Sequence, residues 1–223
     1  MPGYLIACDF DGTITRRDTL HLIVDAFGDR GVWDAMEPDL RAGRISVEQA
    51  METEFAEVRA TADEVRELVR EHAGIREGFP EFVRWARGAG HRVEVLSNGF
   101  ATVIGDLLER AGLGDLPFRS HDVRFSPEGA RLIWAPRGTR CTLCARPCKR
   151  HDLAGLGHDG PVAYVGDGIS DRCVAGAADL VFARAGLAEY LAERGRPYIP
   201  FEDFHEVRAG LEGHDPAAAE RAA

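Results

Sequence analysis

The sequence predicts an α/β fold in which a parallel sheet is covered by helices on both faces. Two observations support this prediction. Short apolar runs without polar alternation, which are typical of strands buried on both faces, alternate along the chain with segments of helical periodicity. One stretch near the N-terminus breaks this alternation, because it has helical patterns and no convincing strand. We therefore expect three layers, with helices on either side of a sheet and a helical insertion.

The four apolar runs that are predicted to form buried strands cover residues 4–10, 93–96, 162–165 and 180–183. A helix is predicted after the second run, because apolar residues recur at helical spacing from Phe100 to Ala111 and Gly112 follows. Residues 118–136 contain two β-like pieces around a Ser-Pro-Glu-Gly turn, which predicts a β-hairpin.

Residues 16–78 are predicted to form a helical cap over one end of the sheet. Two capping boxes, which open at Ser46 and Thr61, predict the starts of two amphipathic helices. The Ala-rich C-terminus lacks periodicity and is expected to be a flexible tail. The expected divisions are a catalytic core of residues 1–15 and 79–211, the cap of 16–78, and the tail of 212–223.

Composition limits the classes of partner. The 223 residues suffice for one domain with a modest insertion, and 45% apolar residues are enough for a packed core. The formal charge of −10 works against nucleic acid or an anionic membrane as the main partner, because both require clustered Lys and Arg. No signal peptide and no apolar run of roughly 20 residues is found. These features predict a cytoplasmic protein and leave its oligomeric state open.

The first predicted strand ends in the sequence Asp9-Phe10-Asp11-Gly12-Thr13. Asp9 and Asp11 would point the same way if the strand continued, and Gly12 indicates a sharp turn just beyond. Two such charges 4 Å apart repel by about 4 kcal/mol at an effective dielectric constant near 20. An isolated Asp-x-Asp is often an acidic loop, but this pentapeptide after a buried strand is far more specific.

Two further polar motifs follow predicted strands, at the sheet edge where ligands bind in open parallel sheets. Ser97-Asn98-Gly99 could hold phosphate oxygens through a hydroxyl and backbone N–H groups, although it could equally be an ordinary turn. In the sequence Gly-Asp-Gly-Ile-Ser-Asp, Asp167 directly follows a strand and Asp171 lies one helical turn later. Because such hard oxygen ligands suit Mg²⁺, we predict magnesium as the cofactor.

Lys149 is the only lysine in the chain, which otherwise uses Arg. Taken alone, a single lysine is more often a solvated surface residue. An acidic protein that binds phosphate must, however, supply local positive charge. Lys149 and Mg²⁺ would supply it, and Arg146 and Arg150 are possible substitutes for the lysine.

These features, in this order, resemble the motifs of the haloacid dehalogenase-type phosphatases, whose core is a Rossmann-like parallel sheet. The resemblance implies that Asp9 is the nucleophile that attacks phosphorus. It also implies that Asp11 protonates the leaving alcohol and later activates water. The expected activity is magnesium-dependent hydrolysis of a small phosphomonoester through an aspartyl-phosphate intermediate, which splits a very slow reaction into two steps.

The resemblance also assigns the remaining motif residues. Ser97 and Asn98 would bind the phosphate, and Lys149 would neutralise the phosphoryl group and the nucleophile. Asp167 would bind the metal together with Asp9 and the backbone carbonyl of Asp11, with Asp171 as a second ligand or a support. A phosphotransferase would use the same motifs, so this alternative stays open until the products are analysed.

The predicted cap is similar to that of the subgroup to which phosphoserine phosphatases belong. Within this subgroup the chain is most similar to the methionine-salvage phosphatases that act on 2-hydroxy-3-keto-5-methylthiopentenyl-1-phosphate. The shared features include Ile14-Thr15, the sequence at 75–79 and the Phe-Ala-Arg at 182–184. Asn98 departs from the Gly of those enzymes, and a phosphoserine phosphatase-like substrate is the alternative. The candidate substrate contacts in the cap are Asp18, His21, Arg41, Arg44 and Arg76.

A cysteine-rich loop precedes Lys149. It contains four potential zinc ligands, namely Cys141, Cys144, Cys148 and His151. The spacing is tighter than in a paired zinc knuckle, so free or redox-labile thiols and a local disulfide are alternatives. Cys8 and Cys173 are predicted to be small buried residues. A zinc-binding module that has lost catalysis is the hypothesis from a different class, and the intact motifs argue against it.

Overall fold

The computed structural model describes residues 3–136, 141, 144 and 148–214. These residues form one seven-stranded sheet. In chain order its strands are β1 (Leu5–Cys8), β2 (Arg92–Phe100), β3 (Phe118–Arg124), β4 (Arg131–Ile133), β5 (Val162–Gly166), β6 (Leu180–Ala183) and β7 (Ile199–Pro200). The helices are α1 (Thr19–Phe27), α2 (Arg30–Arg41), α3 (Val47–Phe55), α4 (Ala62–His72), α5 (Phe79–Gly88), α6 (Ala101–Arg110), α7 (Lys149–Ala154), α8 (Arg172–Ala175), α9 (Ala185–Glu193) and α10 (Phe204–His214).

The sheet confirms the predicted α/β fold. Its strand order is β4-β3-β2-β1-β5-β6-β7, and every neighbouring pair is parallel except β3 and β4. The antiparallel pair is the predicted hairpin, in which Asp122 lies opposite Ile133. All four predicted strands are present. The short edge strand β7 and the first residues of β3 were not predicted from the sequence.

Strand β1 lies at the centre because both of its faces are buried. Ile6 and Cys8 pack into one apolar cluster, which also contains the buried side chains of α5 and α6. Leu5 and Ala7 pack into a second cluster on the opposite face, with Leu187 and Leu191 of α9. The unbroken apolar run therefore follows from alternation between two cores rather than between core and solvent.

Strand β2 is longer than the prediction. The sequence predicted that the strand ends at Leu96 and that Ser97-Asn98-Gly99 forms a turn. In the structure β2 continues to Phe100, and its register with β3 shifts between Leu96 and Phe100. Helix α6 then begins at Ala101. Residues 97–99 lie between the paired residues Leu96 and Phe100 and oppose a single residue of β3, so a bulge in the strand replaces the expected turn.

The segment from Thr19 to His72 contains helices α1–α4 and no strand within the described chain. Both capping boxes are confirmed: the side chains of Ser46 and Thr61 accept hydrogen bonds from the backbone three residues on, and Gln49 and Glu64 bond back. Apolar residues of these helices share a core cluster with one face of the sheet.

The chain enters and leaves this helical segment at one place. Thr15 and Ile75 form an isolated antiparallel bridge. The N–H of Arg76 donates to the carbonyl of Ile14 at 2.7 Å, and the N–H of Arg16 donates to the carbonyl of Gly74 at 2.9 Å. The two connections lie close to the boundaries that the sequence predicted for a cap.

Helix α10 extends to His214, three residues beyond the predicted end of the core at residue 211. The rest of the predicted tail, 215–223, lies outside the described residues. Among the helices of the described ranges, none combines the length and the apolar character that crossing a bilayer requires.

Candidate active site

The motifs converge at one edge of the sheet. Asp9 follows β1, Ser97 lies near the end of β2, and Asp167 follows β5; β2 and β5 are the two parallel neighbours of β1. The carboxyl ends of these strands therefore lie side by side. The strands that follow β1 in the chain are added first on one side of it, from β2 to β4, and then on the other side, from β5 to β7. Such a reversal of strand order opens a crevice at the carboxyl end of a parallel sheet.

Lys149 is buried between two carboxylates. Its Nζ lies 2.5 Å from Oδ1 of Asp9 and 2.8 Å from Oδ1 of Asp171, and its side chain is 1% exposed. Burial alone would lower the pKa of Lys149, but the charges of Asp171 and Asp9 raise it above its ordinary value. The lysine is thus a fixed cation beside Asp9. Of the alternative cations, Arg150 forms no ion pair with a described residue, and Arg146 lies outside the described chain.

Asp171 is fully buried and both of its oxygens accept hydrogen bonds. Oδ1 accepts from the hydroxyl of Tyr164 at 2.6 Å, and Oδ2 accepts from the N–H groups of Asp167 at 3.0 Å and Gly168 at 2.9 Å. Burial would raise the pKa of Asp171, but the charge of Lys149 and these hydrogen bonds hold it below its usual value. Asp171 therefore orients Lys149 and the loop that carries Asp167.

Asp11 lies on the other side of the site, at the junction with α1. Its Oδ1 accepts hydrogen bonds from the hydroxyl and the N–H of Thr19, and its Oδ2 accepts from Oγ of Ser97 at 3.1 Å. Burial, with a contribution from the charge of Asp18, raises the pKa of Asp11 to about 6. A carboxyl group with this pKa can both donate and accept a proton near neutral pH.

The turn after Asp11 requires glycine. Gly12 has φ of +76°, and a Cβ at this position would lie 2.5 Å from Oδ2 of Asp167. The next residue, Thr13, donates its hydroxyl to Oδ1 of Asp167 at 2.8 Å. Burial and the charge of Asp171 raise the pKa of Asp167 to about 7. The turn that follows Asp9 and the loop that carries Asp167 are therefore in direct contact.

Two arginines hold the backbone of this turn. Arg76 donates to the carbonyls of Gly12 at 2.6 Å and Thr13 at 2.6 Å, and also to those of Thr15 and Glu202. Arg184 donates to the carbonyl of Gly12 at 3.0 Å. Arg76, a candidate substrate contact on sequence grounds, is therefore buried in the frame of the site, because carbonyls just before the helical segment and just before α10 need a multivalent donor.

Sequence analysis missed several residues that touch the motifs. It gave no role to Thr19, Tyr164 or Arg184, which contact Asp11, Asp171 and Gly12 respectively. A usable signal existed for Thr19, since it opens a helix eight residues after Asp11. The hydroxyl of Tyr164 lies within an apolar strand and gave no such signal.

A cavity of about 270 Å³ lies between the sheet edge and the helical segment. Asp9, Asp11, Asn98, Lys149 and Asp167 line its floor. Its other walls are largely apolar, and they include Leu20, Trp33, Leu40, Val47, Ala50 and Met51.

Three of the five candidate cap residues, Asp18, His21 and Arg41, also line this cavity. Arg44 instead pairs with Asp39 at 2.6 Å on an exposed surface. A residue that the sequence did not single out, Glu54, lines the cavity as well and is 3% exposed. The cavity can thus receive a small molecule whose one end meets the carboxylates and whose other end meets an apolar wall.

The carboxylates fit a divalent cation. Oxygens of Asp9, Asp167 and Asp171 all lie within 4.8 Å of one another. Burial and the charge of Asp171 raise the pKa of Asp9 well above its usual value, although Lys149 acts in the opposite direction. A hard cation would relieve this repulsion, and oxygen ligands are those that Mg²⁺ prefers.

Comparisons with known proteins agree with this geometry. A sequence profile of haloacid dehalogenase-like hydrolases matches residues 6–176. A 2-hydroxy-3-keto-5-methylthiopentenyl-1-phosphate phosphatase from Geobacillus thermodenitrificans is 33% identical over 208 residues, which are 91% of this chain and 93% of the relative. The enzyme of the same name from Brevibacillus brevis is 31% identical over 210 residues, 91% of this chain and 92% of the relative.

Solved structures show the same fold. A phosphoserine phosphatase solved as an analogue of the phospho-aspartyl intermediate aligns with a TM-score of 0.73 and 18% identity, covering 94% of this chain and 99% of that chain. A substrate-bound phosphoserine phosphatase complex aligns with a TM-score of 0.70 and 17% identity, covering 94% and 98%. Given the matched profile and the relatives above 30% identity, the chain belongs to the haloacid dehalogenase-like hydrolases, among the phosphatases of that family.

Proposed function

We propose that this chain is a magnesium-dependent phosphomonoester hydrolase in which Asp9 forms an aspartyl-phosphate intermediate. One observation carries the proposal: Asp9 lies 2.5 Å from a buried lysine and shares a 4.8 Å cluster with Asp167, while Asp11 lines the same cavity. A nucleophile, a cation and an acid–base group are thus available to one substrate. Nucleophilic catalysis suits phosphate monoesters, whose unassisted hydrolysis is extremely slow.

Magnesium would be held by the carboxylates of Asp9 and Asp167 and by the backbone carbonyl of Asp11. Asp171 is less suited to direct ligation, because Lys149, Tyr164 and two backbone N–H groups already occupy its oxygens. When bound, the metal offsets the negative charge that gathers on the phosphoryl oxygens and the nucleophile.

The protein groups divide the remaining chemistry. Asp9 attacks phosphorus, and Lys149 stabilises the charge on Asp9 and on the phosphoryl oxygens. Asp11 donates its proton to the departing alcohol and then takes a proton from the water that hydrolyses the intermediate. The hydroxyl of Ser97, which now bonds Asp11, and the amide of Asn98 would bind phosphoryl oxygens.

For the substrate we propose 2-hydroxy-3-keto-5-methylthiopentenyl-1-phosphate, the compound in the name of the relatives that align over nine-tenths of the chain. The cavity supports this choice over phosphoserine. Leu20, Trp33 and Met51 line the wall away from the carboxylates, and an apolar methylthio tail would bury surface there. Phosphoserine has no apolar group to cover these side chains, and its ammonium and carboxylate groups would have to pair with charged residues of the cavity such as Asp18 and Arg41.

The mechanism can be tested with p-nitrophenyl phosphate. We expect phosphate release that requires Mg²⁺, stops with EDTA and falls by roughly 10⁴-fold or more in Asp9→Asn. Mass spectrometry of acid-quenched wild-type enzyme should locate a phosphoryl group on the peptide that contains Asp9. Undiminished turnover by folded Asp9→Asn would exclude the covalent mechanism.

The substrate can be tested with the salvage compound and phosphoserine in parallel. We expect a higher kcat/KM for the salvage compound, and a preference that shrinks in Trp33→Ala while turnover of p-nitrophenyl phosphate is retained. Added alcohol acceptors should yield no new phosphate ester. Transfer to an acceptor in preference to water would instead identify a phosphotransferase.

A further inference from the structure

The cysteines form a second cluster that the carboxylate chemistry does not use. Sulfur atoms of Cys141, Cys144, Cys148 and Cys173 all lie within 4.8 Å of one another. None of the four is disulfide-bonded. Cys173 was predicted from the sequence to be a small buried residue, but it is only partly buried and is the fourth member of the cluster. His151 is not part of the cluster.

The sulfur spacing matches a tetrahedral metal site. A zinc–sulfur bond of about 2.3 Å gives sulfur–sulfur distances of about 3.8 Å along the edges of a tetrahedron. Sγ of Cys141 lies 3.6 Å from Sγ of Cys173, close to this value. A disulfide would require about 2.05 Å. The side chains are thus already near the positions that four zinc ligands would take.

Two backbone N–H groups, those of Arg150 and His151, donate hydrogen bonds to the sulfur of Cys148. Four ionised thiols cannot share this space without a cation, whereas a bound metal displaces their protons.

The cluster connects two segments of the active site. Cys148 immediately precedes Lys149 at the start of α7, and Cys173 lies in α8, two residues after Asp171. Each partner of the Lys149–Asp171 ion pair is thus within two residues of a cysteine of the cluster. A metal that holds the four sulfur atoms in place would also hold the backbone at Lys149 and at Asp171. It would therefore fix the position of this ion pair beside Asp9.

We propose that Cys141, Cys144, Cys148 and Cys173 bind one structural zinc ion, which ties α7 to α8 and thereby positions Lys149. The site is separate from the carboxylate cluster and selects a different metal. Four soft sulfur ligands suit zinc, whereas the oxygen ligands of Asp9 and Asp167 suit magnesium. With four protein ligands the coordination is closed, as in structural rather than catalytic zinc sites.

The metal content of wild-type protein tests this directly, whatever its activity. After expression in zinc-supplemented medium and desalting, elemental analysis should find about one zinc ion per chain. Stepwise titration with an organomercurial should release that zinc as the cluster thiols react. Protein that is folded but free of zinc after incubation with zinc salts would overturn the proposal, and so would iron in place of zinc.

Variants separate the proposed ligand set from the one expected from sequence. Cys173→Ser should lose most of its zinc, whereas His151→Gln and the matched control Cys8→Ala should keep about one zinc ion per chain. Zinc retained in Cys173→Ser but lost in His151→Gln would overturn the assignment. If Cys173→Ser does not fold, zinc in wild-type protein is replaced by cobalt, and the intensity of the thiolate-to-cobalt charge-transfer bands per cobalt ion counts the sulfur ligands. Four cobalt–thiolate bonds support the assignment, and three or fewer refute it.

Discussion

The edge of the sheet and the helical wall of the cavity both contain buried carboxylates, but these carboxylates differ in how completely they are hydrogen-bonded. At the sheet edge, Asp171 is bonded by Lys149, Tyr164 and two backbone N–H groups. In the helical wall, Glu54 is 3% exposed, and its Oε1 has no hydrogen-bond partner within the described part of the chain.

The difference indicates two kinds of site. A fully bonded cluster keeps its geometry without a ligand, as preorganised catalysis requires. An incompletely bonded carboxyl group raises the energy of the folded protein and leaves hydrogen-bonding capacity for a bound molecule. Substitutions at the sheet edge should therefore lower both stability and turnover, whereas substitutions in the helical wall should affect stability or substrate preference without impairing the chemistry.

The largest effect is expected for Lys149→Met. This change leaves the buried carboxylates of Asp9 and Asp171 without their cation, so we expect the free energy of unfolding to fall by about 3–5 kcal/mol in magnesium-free buffer. The kcat for p-nitrophenyl phosphate should fall by about 10³-fold. Urea denaturation and steady-state kinetics measure the two quantities.

The matched control is Arg84→Met, which removes an ion pair with Glu81 of 2.8 Å on the surface of α5. Both partners are more than half exposed, so the loss should stay below about 0.5 kcal/mol and kcat should not change. Equal stability of the two variants would mean that the buried pairs contribute nothing net, and the contrast between the regions would fail.

A smaller effect is expected for Arg76→Lys. Lysine keeps the charge, but its three N–H donors lie on one atom and cannot reach the four carbonyls that Arg76 bonds through three separate nitrogens. We expect a loss of about 2–3 kcal/mol in stability and a fall of roughly 10- to 100-fold in kcat, because the turn carries Asp11. Arg84→Lys, on an exposed surface, serves as the control. Normal kcat in Arg76→Lys would show that the turn keeps its shape without this residue.

These contacts show which features of the structure could be predicted from the sequence and which could not. The buried strands and the placing of Asp9, Asp11 and Asp167 at strand ends were predictable, because apolar runs mark buried strands and parallel strands deliver their ends to one edge. The order of the strands in the sheet was not predicted. The partner of each carboxylate was less predictable. Tyr164 reaches Asp171 from inside an apolar strand, and Arg76 bonds carbonyls more than 60 residues away.

The cysteine cluster illustrates the same limit. Three of its members lie close together in the sequence, and His151 follows at a plausible spacing. Cys173 joins them from 25 residues beyond Cys148 only because α7 and α8 pack together. Glu54 was missed for the same reason, since its position on an amphipathic helix does not reveal that its carboxyl faces a cavity.

Glu54→Gln should show a pH-dependent gain in stability. Burial raises the pKa of Glu54 from its ordinary value of 4.5 to about 7, with His21 acting in the opposite direction and Asp18 in the same one. The folded state therefore holds the proton more tightly than the unfolded state. The contribution of Glu54 to stability is greatest below pH 4.5, falls as the pH rises to about 7, and is constant above.

Because glutamine does not ionise, Glu54→Gln should match wild type at pH 5 within about 0.5 kcal/mol and exceed it at pH 8 by on the order of 2 kcal/mol. Urea denaturation at both pH values measures this, and the exposed Glu67→Gln should change stability at neither. Equal stability of Glu54→Gln and wild type at pH 8 would show that the Glu54 carboxylate is well solvated, which contradicts the incompletely bonded state inferred above.

The smallest effect is expected for Thr61→Ala at the start of α4. The variant loses the side chain that accepts from the N–H of Glu64, so we expect a fall of about 1 kcal/mol in the free energy of unfolding. The control is Thr53→Ala, whose hydroxyl bonds only a carbonyl within α3, at 2.9 Å, and should change stability less. Turnover of p-nitrophenyl phosphate should be unchanged in both, because α4 contributes no residue to the cavity wall. A parallel loss of kcat in Thr61→Ala would show that stability of the helical segment and geometry at the sheet edge are coupled, so that the two regions could no longer be treated as separate.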